Sequence, residues 1–269
     1  MRLMLLNLFH TILGLAPLLS LLLAGWTMSR IAERTAPRFG PNRSAIADVT
    51  PALLVITVVS ARLTTVAPHW RLALAHPLDL VRLNGQLSFF GGAVGAVVAM
   101  IILAWRAHLP VWRVADVYAV ALPLGFAVYG LGCLLRDDCY GRTARPPFGI
   151  VFPGHQVPRY PVELYAAAAA LITYAGLQWL DRWRPAPGTV ALATITALGT
   201  SRALLDTLRL DADATLLNSD QVASLTLAAL ALIVLQIRLL WSVGREPVPT
   251  HPTTPSLVDR IRDVGGRYG

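Results

Sequence analysis

The chain is organised around residues 129–165, which read YGLGCLLRDDCYGRTARPPFGIVFPGHQVPRYPVELY. This stretch starts inside one apolar run, crosses a segment rich in Gly, Pro, Arg and Asp, and ends where the next apolar run starts. Because the rest of the chain is largely apolar, this concentration of polar groups is the best candidate for chemistry. The charged residues in it are Arg136, Arg142, Arg145, Arg159, Asp137, Asp138 and Glu163.

The composition indicates a membrane protein. Of the 269 residues 55% are apolar and 14% are charged, and the mean hydropathy is +0.57, whereas soluble domains carry about 25% charged residues. All 23 basic residues are arginine, against 15 acidic residues, so the net charge is +8. Compositional bias of the genome is the simpler explanation for the missing lysine, but arginine also binds phosphate through a planar fork. Phospholipid headgroups are the expected partners, and the scatter of the arginines through short loops argues against nucleic acid.

Seven apolar segments approach the ~20 residues that an α-helix needs to cross the hydrocarbon core. The sequence therefore predicts an all-α, polytopic membrane protein with about seven transmembrane helices and an outer-side polar loop between helices 4 and 5. We expect a transmembrane domain over residues 1–244 and a flexible tail over 245–269. The length of the first run favours a retained helix over a cleaved signal peptide. The predicted segments are 3–28, 46–66, 88–105, 117–135, 163–181, 188–208 and 221–243.

The distribution of arginines between alternate loops predicts the orientation. With the N-terminus outside, twelve arginines fall in cytoplasmic segments and nine on the opposite side. Several of the nine belong to the 129–165 stretch, where they have a second reason to be present. We therefore predict an outer N-terminus, a cytoplasmic C-terminus and a central stretch on the outer side.

The sixth apolar segment carries three ionisable residues on one helical face. Arg202 and Asp206 are four residues apart, and Asp206 and Arg209 are three apart, so both pairs can form. A charge inside a span costs about 2.5–3.5 kcal/mol on insertion scales, so such residues usually face a cavity or a partner. A structural ladder of ion pairs is the alternative interpretation. We favour a functional one, because two arginines around one carboxylate leave positive charge that suits a lipid phosphate.

A second group of candidates lies in the central stretch itself. Asp138, Tyr140 and Arg142 follow the fourth apolar segment, next to a glycine that permits tight backbone turns. Residues 158–161 (PRYP) then lead the chain back to the membrane in an extended form. Interfacial anchoring by arginine and tyrosine explains these residues equally well.

Histidines and cysteines give little support for metal or nucleophilic chemistry. His155, in the central loop, is the one histidine that we would test as an acid or base. No metal-binding motif occurs in the sequence, and we predict no metal. Cys133 and Cys139 could form a disulfide if the chain turns sharply between them, but we favour unpaired packing residues.

Five short motifs occur in order from the second apolar segment onward, and together they resemble those of the prolipoprotein diacylglyceryl transferase family. The first is similar to that family's GARL and the second to its NPL…GGLSFHGG segment. The third is similar to its CCYGR signature, the fourth to its HPxQLY and the last to its RxxxExxR. In this chain the five are residues 60–63 (SARL), 76–92 (HPL…LSFFGG), 132–143 (GCL…CYGRT), 160–165 (YPVELY) and Arg202 with Asp206 and Arg209.

The resemblance implies a bacterial inner-membrane enzyme that moves the diacylglyceryl group of phosphatidylglycerol to the lipobox cysteine thiol of a prolipoprotein. Its partners would be phosphatidylglycerol, the signal peptide that carries the lipobox, and the membrane, and no cofactor is implied. Arg202 and Arg209 would hold the lipid phosphate with Asp206 orienting them, since arginines neutralise a leaving phosphate. Arg142 and Asp138 would line the outer mouth, and Asp138 would be a fourth catalytic residue beside Arg202, Asp206 and Arg209. The remaining predicted site residues, which would bind or position substrate, are Tyr140, Tyr160, Glu163, Tyr165, Gly91 and Gly92.

The chain also departs from the family pattern. Gly130 and Cys133 stand where the family has arginine and asparagine, and Phe90 and Tyr160 stand where it has histidines. Asp138 replaces a glutamate or cysteine. One electrostatic group of this kind is worth about 10²–10³ in rate. Two alternatives therefore stay open: a catalytically degenerate relative that serves as a lipid-binding structural subunit of a membrane complex, and a different enzyme acting on another anionic lipid.

Overall fold

The computed structural model describes the backbone of residues 2–69, 88–133, 140–145, 147–152, 156–183, 185–209 and 219–243. Side chains are described in these ranges from Leu18 onward, apart from His69, Cys133, Ser219 and residues 241–243. The described residues form seven α-helices, with a short 3₁₀ turn after the second. The helices are α1 (Arg2–Phe39), α2 (Arg43–Val66), α3 (Phe89–Arg106), α4 (Val111–Cys133), α5 (Val162–Asp181), α6 (Thr189–Asp206) and α7 (Ser219–Val243).

Each predicted apolar segment corresponds to one of these helices, which confirms the all-α fold class. The largest difference is in α1, which was expected to end at residue 28 and continues to Phe39. The extension carries Arg30 and Glu33, whose side chains pair at 3.5 Å, and Arg43 of α2 approaches the same carboxylate at 3.7 Å. Because charged pairs one turn apart support a helix without an apolar pattern, α1 continues beyond its apolar run.

Four of the helices are long and apolar enough to cross a membrane, as judged over the residues that the structure describes. Together with the all-helical fold they confirm a polytopic membrane protein. Helices α5 and α6 are more polar, since Glu163 lies in the first turn of α5 and Arg202 and Asp206 lie in α6. Seven crossings therefore stay a prediction. The four spans are Arg43–Val66, Phe89–Arg106, Val111–Gly132 and Asp220–Leu240.

Small residues allow the helices to approach closely. An added Cβ at Gly91 of α3 would lie 2.2 Å from the Thr64 hydroxyl of α2, and one at Gly92 would lie 3.3 Å from the Ala61 side chain. The alanine run 166–170 of α5 contributes in the same way, since Ala167 and Ala170 pack with Ala127 of α4. Small side chains at such contacts let helix backbones pack closely in a membrane.

A buried aspartate in α4 fixes the start of α6. Asp116 is 2% exposed, and its carboxylate accepts hydrogen bonds from the Gly188 N–H (2.6 Å) and the Ala191 N–H (2.8 Å). The first N–H groups of a helix lack partners within the helix, and a negative charge there also interacts favourably with the helix dipole. Asp116 therefore ties α6 to α4 at the end of the bundle opposite the central stretch.

The chain divides into two compact units, Met1–Leu235 and Gln236–Gly269. The first contains α1 to α6 and most of α7. The described part of the second is the last segment of α7, and the predicted tail over 245–269 lies outside the described residues. The predicted domain boundary at residue 244 stays a prediction.

Candidate functional site

Arg202, Asp206 and Arg209 meet at the end of α6, as their spacing predicts. Arg202 Nε lies 3.9 Å from Asp206 Oδ2, and Arg209 Nε lies 4.0 Å from Asp206 Oδ1. The Asp206 side chain is 8% exposed. Both separations exceed the ~3.2 Å of a good hydrogen bond. The carboxylate therefore interacts with both guanidinium groups through charge and not through a tight bidentate pair.

Glu163 brings α5 into the same cluster. Its Oε1 accepts a hydrogen bond from Arg209 Nη1 at 3.2 Å, which is shorter than either contact of Asp206 with the arginines. The expectation of two arginines around one carboxylate was therefore incomplete, because Arg209 has a second carboxylate partner. Arg202 is the less tightly paired of the two arginines.

The loop between α4 and α5 pairs with the end of α6. The Arg142 N–H donates to the Leu208 carbonyl oxygen at 2.9 Å, and Arg142 Nε donates to the Arg209 carbonyl oxygen at 3.1 Å. Gly141 and Arg209 form an isolated antiparallel bridge. An added Cβ at Gly141 would lie 2.2 Å from the Leu208 oxygen, so this approach requires glycine. With Arg142 included, three arginines gather with the carboxylates of Asp206 and Glu163, and Asp220 of α7 is near enough to act on Asp206 through its charge.

The predicted tyrosines surround this loop. The Tyr165 hydroxyl donates to the Phe148 carbonyl oxygen at 2.5 Å. The Arg159 guanidinium lies 4.8 Å from the centre of the Tyr140 ring, whose other ring neighbour is Phe152. Tyr160 joins through its backbone, donating to the Arg142 carbonyl and accepting from the Gly141 N–H.

Some predicted candidates lie elsewhere or outside the described residues. Gly91 and Gly92 are buried against α2, and their predicted role in substrate binding stays a prediction. Asp138, the fourth predicted catalytic residue, is outside the described residues, as are His155 and Cys139. The interpretation of Cys133 and Cys139 as unpaired packing residues likewise stays a prediction.

The aromatic neighbour of Arg202 was not identified from the sequence. The Arg202 guanidinium carbon lies 4.1 Å from the ring centre of Phe89, the first residue of α3. Phe89 in turn contacts the rings of Phe90, edge to face, and Phe126 of α4. Arg202 Nε is buried and, among the described residues, has no hydrogen-bond partner. A local signal existed, because aromatic faces often pair with arginine, but nothing in the sequence brings positions 89 and 202 together.

Gly130, where the family pattern has arginine, lies where α4 crosses α5. An added Cβ would lie 2.8 Å from the Glu163 carbonyl oxygen and 3.3 Å from the Ala167 side chain. Any larger residue must therefore push α5 away from α4 at the level of the Glu163 carboxylate. The glycine is a packing requirement of this chain.

The fold and the cluster define a class: a polytopic helical membrane protein with arginines and carboxylates gathered where a polar loop meets its helix ends. Within that class the chain belongs to the prolipoprotein diacylglyceryl transferase family, whose family model matches residues 5–237.

Individual bacterial relatives agree with this assignment. The chain is 32% identical to a Vibrio vulnificus protein over 201 residues, 73% of either chain. It is 29% identical to a Vibrio cholerae protein over 243 residues, 86% of this chain and 87% of the relative. A Shewanella protein is 28% identical over 200 residues, 73% of this chain and 74% of the relative. All three are named phosphatidylglycerol–prolipoprotein diacylglyceryl transferase.

Proposed function

We propose that this chain is a membrane transferase that moves the diacylglyceryl group of phosphatidylglycerol to the lipobox cysteine thiol of a prolipoprotein. The thiol proton passes to the released glycerol phosphate, and the sulfur forms a bond to the glyceryl carbon that carries the phosphate. The bond between that carbon and the phosphate oxygen breaks, and glycerol phosphate leaves. Family membership and the arginine cluster at the end of α6 together support this reaction.

Arg202 and Arg209 are the groups that we assign to the lipid phosphate. The leaving phosphate gains negative charge as its bond to carbon breaks, and fixed positive groups at that point stabilise the transition state. Asp206 touches both arginines and orients them. Arg202 suits the phosphate best, because it lacks a carboxylate contact as short as the one between Arg209 and Glu163.

Residues of α5 and of the loop would shape the rest of the site. Arg142 is held at the end of α6 by its bonds to Leu208 and Arg209, where it can line the outer mouth together with Asp138. Tyr140, Tyr160, Glu163 and Tyr165 would position the substrates, with Gly91 and Gly92 more distant. The signal peptide and its lipobox would enter from the outer leaflet, with the N-terminus outside and the C-terminus in the cytoplasm.

A transfer assay tests the proposal directly. Purified, lipid-reconstituted protein is incubated with phosphatidylglycerol and a lipobox peptide, and the peptide is analysed by mass spectrometry. We expect the mass of a diacylglyceryl thioether, which should be absent when serine replaces the lipobox cysteine. Wild-type protein that forms no adduct, while a family relative does so under the same conditions, would refute the transferase activity.

The alternative is a degenerate relative that binds lipid without transferring it, and Phe90 is the residue that favours it. Phe90 stands in place of a family histidine, and its ring packs on Phe89. Under this alternative the protein retains phosphatidylglycerol through purification and forms no adduct. Measuring bound lipid and adduct on the same sample separates the two functions.

A further inference from the structure

The α4–α5 loop exposes an apolar surface beside its arginines. We name Phe148, Ile150, Val151 and Val157 the loop patch, and Phe148 and Val151 are 64% and 62% exposed. Exposed apolar residues that cluster outside a membrane span mark a binding surface more often than chance does. We propose that the loop patch inserts into the anionic lipid surface at this end of the bundle.

Charge and position favour a lipid surface over a protein partner. The loop 134–161 contains four arginines against two aspartates, and both aspartates lie before residue 140; anionic lipids attract basic segments by about 1 kcal/mol per residue. The Tyr165 hydroxyl holds the Phe148 carbonyl, and Tyr165 lies in the first turn of α5. Phe148 therefore lies level with the start of a helix, the depth at which aromatic and basic side chains meet lipid headgroups.

The loop patch is joined to the site by short backbone links. Ile150 and Arg159 exchange two hydrogen bonds, at 2.9 and 3.0 Å, and Arg159 Nη1 contacts the Gly141 carbonyl oxygen at 3.5 Å. Gly141 pairs in turn with Arg209. Lipid binding at the loop patch would therefore hold the loop against the end of α6.

A photoreactive residue tests this proposal without relying on transfer activity. A benzophenone side chain replaces Phe148 in the full chain, which is reconstituted in nanodiscs with or without phosphatidylglycerol. Phe152 is the matched control, since it is the same residue type in the same loop but is 3% exposed. We expect lipid adducts at position 148, fewer when phosphatidylcholine replaces phosphatidylglycerol, and protein-internal adducts at 152.

Two results would overturn the loop-patch proposal. One is the absence of lipid adducts at position 148 while the α3 position Val94, a 64% exposed residue in a span, yields them. The other is preferential coupling of position 148 to an added lipobox peptide, which would identify the loop patch as a protein-binding surface.

A second proposal comes from the ring under Arg202 and rests on the proposed function. We infer that Phe89 is a positioning residue that holds the Arg202 guanidinium flat, so that its N–H edge faces the lipid phosphate. The guanidinium carbon lies over the ring at 4.1 Å from its centre, which is stacking distance, and a guanidinium stacked on a ring points its N–H donors sideways. The Nε atom is buried and lies 3.9 Å from Asp206 Oδ2, whereas the side chain as a whole is 26% exposed, so the other N–H groups are the ones that a ligand can reach.

The test compares two phenylalanines of the same aromatic group. Phe89→Leu removes the ring under Arg202, Phe89→Trp restores one, and Phe126→Leu alters a ring that touches Phe89. From the energy of cation–π contacts we expect Phe89→Leu to weaken phosphatidylglycerol binding by about threefold to thirtyfold. Phe89→Trp should bind like wild type, and Phe126→Leu should change binding less than Phe89→Leu.

The choice of lipid separates positioning from a general loss of structure. Diacylglycerol lacks the phosphate, so its binding should be unchanged in Phe89→Leu, whereas a collapsed site would lose both lipids. Binding is measured by native mass spectrometry and does not require transfer, so a failure of the proposed activity would be seen separately. Equal loss of both lipids, or loss without rescue by tryptophan, would overturn the assignment.

Discussion

Arg202 shows how the shape of a side chain matters as much as its charge. Its guanidinium lies over the ring of Phe89 and is 3.9 Å from Asp206, too far for a short hydrogen bond to that carboxylate. Replacing Arg202 with lysine keeps the charge but removes the flat face and the fork. We expect the transfer rate to fall by about 10²–10³, the usual value of one electrostatic group in a transition state.

The control for Arg202→Lys is the same change at Arg38. Arg38 is an exposed residue of α1 whose pair with Asp181 spans 3.7 Å, and such surface pairs contribute about 0–1 kcal/mol. Thioether formation is measured for both variants under saturating peptide. A near wild-type rate for Arg202→Lys would contradict the assignment of this residue to the phosphate.

Gly130 tests whether a departure from the family pattern is a packing requirement. Gly130→Ala should lower the free energy of unfolding by about 1–3 kcal/mol, because the new Cβ meets the Glu163 carbonyl. Gly176→Ala is the matched control, since no atom lies within 4 Å of the Cβ there and alanine is the better helix former. Thermal unfolding in detergent measures both. Equal stability of the two variants would refute the packing explanation.

At the scale of whole elements, the hydrogen bonds of Asp116 with the N–H groups of Gly188 and Ala191 join the start of α6 to α4. They therefore help to position α6, whose other end carries the site. Asp116→Ala removes an acceptor from two N–H groups at the start of α6, so we expect a loss of about 1–3 kcal/mol in stability. Asp181→Ala serves as the control, because this aspartate lies at the same end of the bundle in an exposed pair. Unfolding midpoints compare the two. A loss of stability no larger than that of Asp181→Ala would show that the hydrogen bonds of Asp116 do not stabilise the fold.

Features that depend on neighbouring residues could be predicted from the sequence, whereas contacts between distant residues could not. Apolar length located the seven described helices, because it depends on neighbouring residues alone, and the spacing of Arg202, Asp206 and Arg209 brought them together at the end of α6, with Arg209 just beyond the helix. Contacts between distant segments were missed. Asp116 and Gly188 are 72 residues apart, and Glu163 and Arg209 are 46 apart. Only the packing of α4, α5 and α6 brings such pairs together.

At the scale of the molecule, charge is arranged at both ends of the bundle. One end holds the site cluster, where α5 begins and α6 ends. The other holds the pairs of Glu33 with Arg30 and Arg43, beside a core in which small residues such as Ala32 and Ala36 are fully buried. Ion pairs at helix ends suit a protein whose middle lies in hydrocarbon, since charges there are costly. The bundle therefore presents a set of paired arginines and carboxylates to each side of the membrane.

Which surface faces outward is the property on which the proposed reaction depends, because the lipobox is to enter from the outer leaflet. We expect a cysteine at exposed Gln156, in the α4–α5 loop, to react with a membrane-impermeant maleimide in intact spheroplasts. A cysteine at exposed Ala107, in the turn between α3 and α4, should react only after lysis. Both variants are made with Cys133 and Cys139 changed to serine, so that each protein has one thiol. The positive-inside bias is only twelve arginines against nine, so the orientation needs this direct test. The reverse labelling pattern would place the arginine cluster in the cytoplasm and exclude the predicted orientation.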